Sequence, residues 1–154
     1  MASSKKEKKQ QKRKLKKKQE RVELSRQGTV NKAWYCYSDA KFYFGEGRYE
    51  LAANMIRQAV KLAPCDEEFL GLMVDISRIR GNYSQLIKAY DSLEKIGKST
   101  NEMKVDKIAI LFRTKQYKDC IAESDKLIQN ISEKRFKGKK KMLSEVEDIR
   151  ADAV

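Results

Sequence analysis

The sequence predicts an all-α fold made of paired helices that recur along the chain. Three observations carry this. The 154 residues include one Pro and seven Gly, too few turn-formers for an all-β chain, and the Ala, Leu, Ile, Lys, Glu and Gln content favours helices. Second, Gly47-Arg48-Tyr49 is followed 34 residues later by Gly81-Asn82-Tyr83, and 34 later again by Lys115-Gln116-Tyr117. Third, neighbouring columns keep the same period. Ala52, Leu86 and Cys120 follow the tyrosines by three residues, Ala59, Leu93 and Leu127 by ten, and Ala40, Val74 and Ile108 precede them by nine. Each column is small or apolar in all three copies, as a recurring buried position requires.

Residues 1–28 come first, as a basic tail. From Lys5 to Lys18, ten of fourteen positions are Lys or Arg: Lys5, Lys6, Lys8, Lys9, Lys12, Arg13, Lys14, Lys16, Lys17 and Lys18. Repulsion among like charges, with almost nothing apolar to bury, predicts a disordered or transiently helical segment. Gly28 offers a helix stop.

Residues 29–132 form the body, with copies at about 33–66, 67–100 and 101–134. In the first copy Trp34, Tyr37, Ala40, Tyr43 and Phe44 stand at helical spacing, and Gly45-Glu46-Gly47 is the turn. Leu51, Ala52, Met55, Ile56, Ala59, Val60 and Leu62 mark a second amphipathic helix ending at Pro64. The second copy runs from Phe69 to Ile76, turns at Gly81-Asn82, and resumes through Leu86, Ile87, Tyr90 and Leu93. The third runs from Val105 to Phe112, turns near Thr114-Lys115, and resumes through Ile121, Leu127 and Ile128. Residues 133–154 open on Lys134, Arg135 and Lys137. Met142, Leu143, Val146 and Ile149 then predict a short amphipathic helix, either a C-terminal cap for the last apolar face or a truncated fourth copy.

A 34-residue helix-turn-helix unit with small, aromatic and Pro positions in this order resembles the tetratricopeptide repeat. Ala40, Tyr43, Gly47, Tyr49, Ala52, Ala59 and Pro64 of the first copy fall where that signature places such residues. The later copies depart from it, with Val74 and Ile108 in the first helix, Leu86 and Cys120 in the second, and Lys98 where Pro64 would recur. The resemblance implies a three-repeat α-solenoid whose first helices line a groove for a peptide or protein. In this chain the groove positions would be Trp34, Tyr37, Ser38, Lys41 and Phe44, then Glu68, Leu72, Asp75 and Arg78, then Glu102, Val105, Asp106, Phe112 and Arg113. Trp34, Tyr37 and Phe44 read either as a peptide-anchoring patch or as packing against the tail or a neighbouring copy. Family members that grip acidic C-termini place cations or amides where this chain has Tyr37 and Lys41, then Leu72, then Glu102 and Asp106; only Lys41 has a suitable charge, so such a clamp is not expected.

Charge and chemistry narrow the function. Net charge is +13, and residues 1–26 alone carry +9 of it, which reads as a surface for a polyanion, either nucleic acid or a ribonucleoprotein or an anionic membrane, or else as a nuclear-import address, a solubilising arm or a solvated extension. No aromatic interleaves the lysines, so binding there is sequence-blind. The chain has no His, which removes the commonest general base and the usual zinc arrangements. No phosphate-cradling or dinucleotide glycine motif occurs. Carboxylates such as Asp66, Glu67 and Glu68 read as helix-start residues. Neither a cofactor, a metal nor a small-molecule substrate is expected. Cys36, Cys65 and Cys120 read as unpaired core thiols of a reducing compartment. No apolar run approaches the length of a membrane span, and the expected location is intracellular, cytoplasmic or, in a nucleated cell, nuclear. The sequence therefore reads as a non-catalytic interaction scaffold with a polybasic tail. Two alternatives stay open: a regulatory module or fragment of a larger nucleic-acid-processing enzyme, and a chain whose main activity is direct RNA or DNA binding.

Overall fold

The computed structural model describes residues 2–133 and 138–154, so the predicted basic run at Lys134, Arg135 and Lys137 lies outside the described residues. Among the described residues there are seven helices and no strand. They are α1 (Ala2–Gly45), α2 (Tyr49–Leu62), α3 (Glu67–Arg80), α4 (Tyr83–Lys95), α5 (Asn101–Arg113), α6 (Tyr117–Ser132) and α7 (Lys139–Ala153). The chain divides into two compact units, Met1–Leu72 and Met73–Val154, with the division falling inside α3.

The 34-residue period is built into the backbone. Tyr49, Tyr83 and Tyr117 each open the second helix of a pair, and their exposures nearly coincide at 37%, 36% and 41%. The turn before each is the same turn. Gly47, Gly81 and Lys115 occupy one column and take φ of +74°, +66° and +60°. Each of these residues donates its N–H to a carbonyl three residues back: Gly47 to Phe44 (3.1 Å), Gly81 to Arg78 (3.2 Å), Lys115 to Phe112 (3.1 Å). The next residue donates five back: Arg48 to Tyr43 (2.9 Å), Asn82 to Ser77 (3.0 Å), Gln116 to Leu111 (2.9 Å). This is the left-handed close of a helix that satisfies its last carbonyls.

A left-handed residue costs an L side chain roughly 1–2 kcal/mol that glycine escapes. Two copies use Gly there and the third uses Lys115. Lys115→Gly is therefore expected to stabilise the chain, by about 0.5–1 kcal/mol once the freer unfolded glycine is counted. In calorimetry that is a rise of about 1–4 °C in Tm. The converse change, Gly81→Ala, should lower it.

In the unit Met1–Leu72, α1 and α2 pack along a face of small residues. Ala33, Ala40, Ala52, Ala53 and Ala59 are all buried, with Ile56 among them, so the two backbones approach closely. Phe69 and Leu70, at the start of α3, are also fully buried. Asp66 starts α3 by accepting the Phe69 N–H at 3.1 Å on its Oδ1, as the helix-start reading of that carboxylate required.

In the unit Met73–Val154, α4 packs on α5, α5 on α6, and α7 on both α5 and α6. The columns carry larger side chains here, and all of them are buried: Val74 and Ile108, Leu86 and Cys120, Leu93 and Leu127. Asn82 caps α4 by accepting from Gln85 N–H (3.2 Å), and Thr100 caps α5 by accepting from Met103 N–H (3.2 Å). Lys107, with little of its side chain exposed, joins three helices: its ammonium donates to Asp91 of α4 at 2.7 Å and lies 3.6 Å from Glu123 of α6. Burial works against that charge, but the Asp91 hydrogen bond and the Glu123 and Asp91 carboxylates outweigh it and hold the Lys107 pKa above its usual value. At the other end, Arg150 of α7 donates to Asp125 of α6 at 2.6 Å, an exposed pair of small energetic weight.

Two sequence expectations need correction. Gly28 does not stop a helix: α1 runs through it as one 44-residue element, with the Thr29 hydroxyl donating back to the Ser25 carbonyl at 3.1 Å. Each of residues 4–32 is exposed on this helix, so it is set locally by good helix formers rather than by packing. An interior glycine costs such a helix only about 1 kcal/mol. Cys65 is not a core thiol. It is exposed on the loop that Pro64 opens, while Cys36 and Cys120 are buried, and all three thiols are free.

Candidate functional site

The groove residues assigned to the first copy separate into two places. On α1, Trp34 and Tyr37 close around Phe69 from α3. Trp34 meets Phe69 edge-on at 4.9 Å and Tyr37 edge-on at 5.4 Å, and the Tyr37 and Phe69 rings stack at 5.0 Å. Such pairs add to the area they bury. Trp34 still keeps 41% of its surface exposed, and the Lys41 ammonium stands 5.6 Å over the Tyr37 ring, a cation–π placement. Burial raises the Tyr37 pKa, as do the nearby Glu68 and Asp66 carboxylates. Phe44 lies apart from this cluster, against Tyr49 at 5.7 Å. Phe112 of the third copy meets Tyr117 in the same way, at 5.7 Å. These two aromatics brace the turns.

Arg78 holds that column in the second copy and serves a different end. Its Nη2 donates to the Tyr90 hydroxyl at 2.8 Å, and Tyr90 in turn donates to Asp106 Oδ2 at 2.5 Å. Arg78 and Asp106 are 3.8 Å apart. Burial, and the hydrogen bond to Asp106 after it, push the Tyr90 pKa up to about 12. The hydroxyl is therefore a fixed donor at neutral pH, and the three side chains pin α3, α4 and α5 together.

Beside Asp106, a cleft opens between α5 and α7, lined by Glu102, Val105, Asp106 and Ala109 with Met142 and Glu145. Three carboxylates thus surround an apolar floor. Of the remaining predicted groove residues, Ser38, Glu68, Asp75 and Arg113 are exposed and Leu72 is half-buried. All ten cations from Lys5 to Lys18 sit exposed on α1.

Several residues in these places escaped the sequence reading. Phe69 and Tyr90 were read only as core, though they organise the two clusters. Met142 and Glu145 join the cleft through α7, which no spacing rule links to α5. Tyr35 and Phe42 are 74% and 63% exposed on one side of α1; their seven-residue spacing was the available signal. Among the described residues no cluster of His, Cys, Asp and Glu is arranged to hold a metal. No helix there is long and apolar enough to cross a membrane. The buried Cys120 thiol donates to the Ile108 carbonyl at 3.6 Å, and burial raises its pKa, the opposite of an activated nucleophile.

No family model and no curated protein matches the chain. Fold and surface together define an all-helical protein with an acidic cleft and a strongly basic helix.

Proposed function

We propose that this is a non-catalytic interaction scaffold, a tetratricopeptide-like solenoid of three helix pairs inside the cell. It holds a protein or peptide on the first helices of its pairs and a polyanion, nucleic acid or a ribonucleoprotein, on Lys5–Lys18. The observation that carries this reading is the turn that recurs at Gly47, Gly81 and Lys115 with the same left-handed residue and the same two hydrogen bonds. Helix pairs laid down at a fixed period bury their apolar sides on one another, and such arrays serve as binding surfaces.

The cleft indicates the chemistry of the peptide. Glu102, Asp106 and Glu145 around Val105, Ala109 and Met142 favour a segment that sets a Lys or Arg beside an apolar side chain. Asp106 is engaged with Tyr90, so the test reverses the other two charges. An array of short peptides probed with the full chain should select basic-apolar sequences. Glu102→Lys with Glu145→Lys should weaken the best of them by about tenfold or more, since like charges across an interface are costly. Equal selection of acidic peptides, or unchanged binding after the reversal, would remove the cleft from the proposal.

A further inference from the structure

The basic segment is part of one continuous helix, α1, and the helical shape restricts what it can hold. We infer that the Lys5–Lys18 portion of α1 binds as a preformed helix in the major groove of double-stranded DNA. This deepens the polyanion half of the proposed function and rests on it.

The first argument is the distribution of charge. At 3.6 residues per turn, Lys5, Lys8, Lys9, Lys12 and Lys16 cover one broad side of the helix. Lys6, Arg13 and Lys17 cover the next, and Lys14 and Lys18 stand opposite the first. No sector wider than about a quarter turn is without a cation, and Leu15 is the only apolar side chain in the stretch. A helix that lies on a membrane surface needs an apolar face to bury and a charged face to leave outside; this one has no apolar face. A ligand that presents phosphate on one flank would leave half of these cations idle. Cations on all sides match a ligand with phosphates on two walls, and a duplex groove is such a ligand.

The second argument is size. An α-helix with its side chains is about 10–12 Å across, and the B-form major groove is about 12 Å wide, whereas the major groove of A-form RNA is too narrow to admit side chains for reading. From Lys5 to Lys18 the helix is about 20 Å long. A duplex of that length carries about a dozen phosphates, one per roughly 1.7 Å, against ten cations and the single acid Glu7. The third argument is access. Each of residues 4–32 is exposed on α1, so a duplex meets the helix without displacing any part of the chain.

The test uses the full chain and fluorescence anisotropy with four probes: a short DNA duplex, the RNA duplex of the same sequence, a DNA single strand, and phosphatidylserine vesicles. The DNA duplex should bind tightest, and its log K should fall with log salt at a slope of about −5 if six phosphates are engaged. Gln11→Pro breaks the helix and leaves the charge unchanged. It should weaken the DNA duplex about tenfold or more and leave the single strand as it was. The aromatic cluster at Trp34 lies beyond the change, so intrinsic fluorescence reports that the body is intact. RNA, single strand or vesicles binding as tightly as the DNA duplex would overturn the groove, as would a Gln11→Pro chain that binds the duplex normally. In those cases the polyanion reading stands. Failure to bind any of the four would remove that reading as well.

Discussion

Phe69→Ala should destabilise the chain by about 3–5 kcal/mol, the usual range for removing a fully buried aromatic. Phe69 has no exposed surface, and it is the ring on which Trp34 and Tyr37 both rest, at 4.9 and 5.0 Å. Its loss leaves a void under two rings of α1, in an interior whose close packing refills such a space only in part. Total stabilities of single domains are about 5–15 kcal/mol, so the variant stands near the edge of folding. Denaturant titration measures the loss directly. Trp34 is the only tryptophan, so its emission should also move to the red as water reaches the ring. Trp34→Ala provides the comparison. With 41% of its surface already in solvent, that change should cost well under the Phe69 value. Equal costs for the two would mean that Phe69 is not the centre of the cluster.

That comparison shows where sequence reading succeeds and where it stops. The tyrosine column and the glycines before it are local chemistry. A left-handed turn residue demands Gly, or tolerates Lys115 at a cost, and the demand recurs wherever the turn recurs. Helix pairing was therefore legible, and so was the burial of Ala52, Leu86 and Cys120. The partner of Trp34 was not legible, because Phe69 lies 35 residues on and an apolar residue at a helix start looks the same whether it packs inward or supports a neighbour. The Tyr90 network was hidden for a related reason. Arg78 and Asp106 were both read as groove residues from their repeat positions, yet their heads meet at Tyr90, and position within a repeat carries no information on which way a long side chain turns. Gly28 misled because it was weighed as a stop signal alone. The helix formers on either side outweigh it.

The charge pattern follows the same division. The basic character of the run from Lys5 to Lys18 needed no structure. Its arrangement around a continuous helix needed one. The same ten cations on a flexible strand would wrap any phosphate chain, whereas on a helix, by the inference above, they favour a ligand that surrounds it. The cleft on the unit Met73–Val154 has the opposite sign, with Glu102, Asp106 and Glu145 at its rim. One chain thus offers surfaces of both charges, and on the proposed reading each suits a ligand the other repels.

The largest loss in the unit Met73–Val154 should come from Val146→Asp. Val146 has no exposed surface and belongs to a cluster with Val105, Ile108, Leu111, Cys120, Leu127 and Ile131, flanked by Met142, Leu143 and Ile149 of its own helix. Val146→Ala removes two methyl groups and should cost about 2 kcal/mol, from lost transfer energy and the cavity left behind. The aspartate places a charge in the same site, and a buried charge without a partner exceeds 4 kcal/mol. Its penalty has a pH signature that the alanine lacks. Burial would raise the aspartate pKa in the folded chain above its unfolded value of about 3.9. The charge penalty is then absent below the unfolded pKa, grows as pH rises through the window between the two values, and is complete above the folded one. Denaturant melts at neutral and at acid pH should therefore show the Asp variant falling further below the Ala variant at neutral pH, with the gap narrowing in acid. A gap that does not change with pH would mean the carboxylate has found water, and that α7 does not seal the apolar end of α5 and α6 as the packing of Val146 indicates.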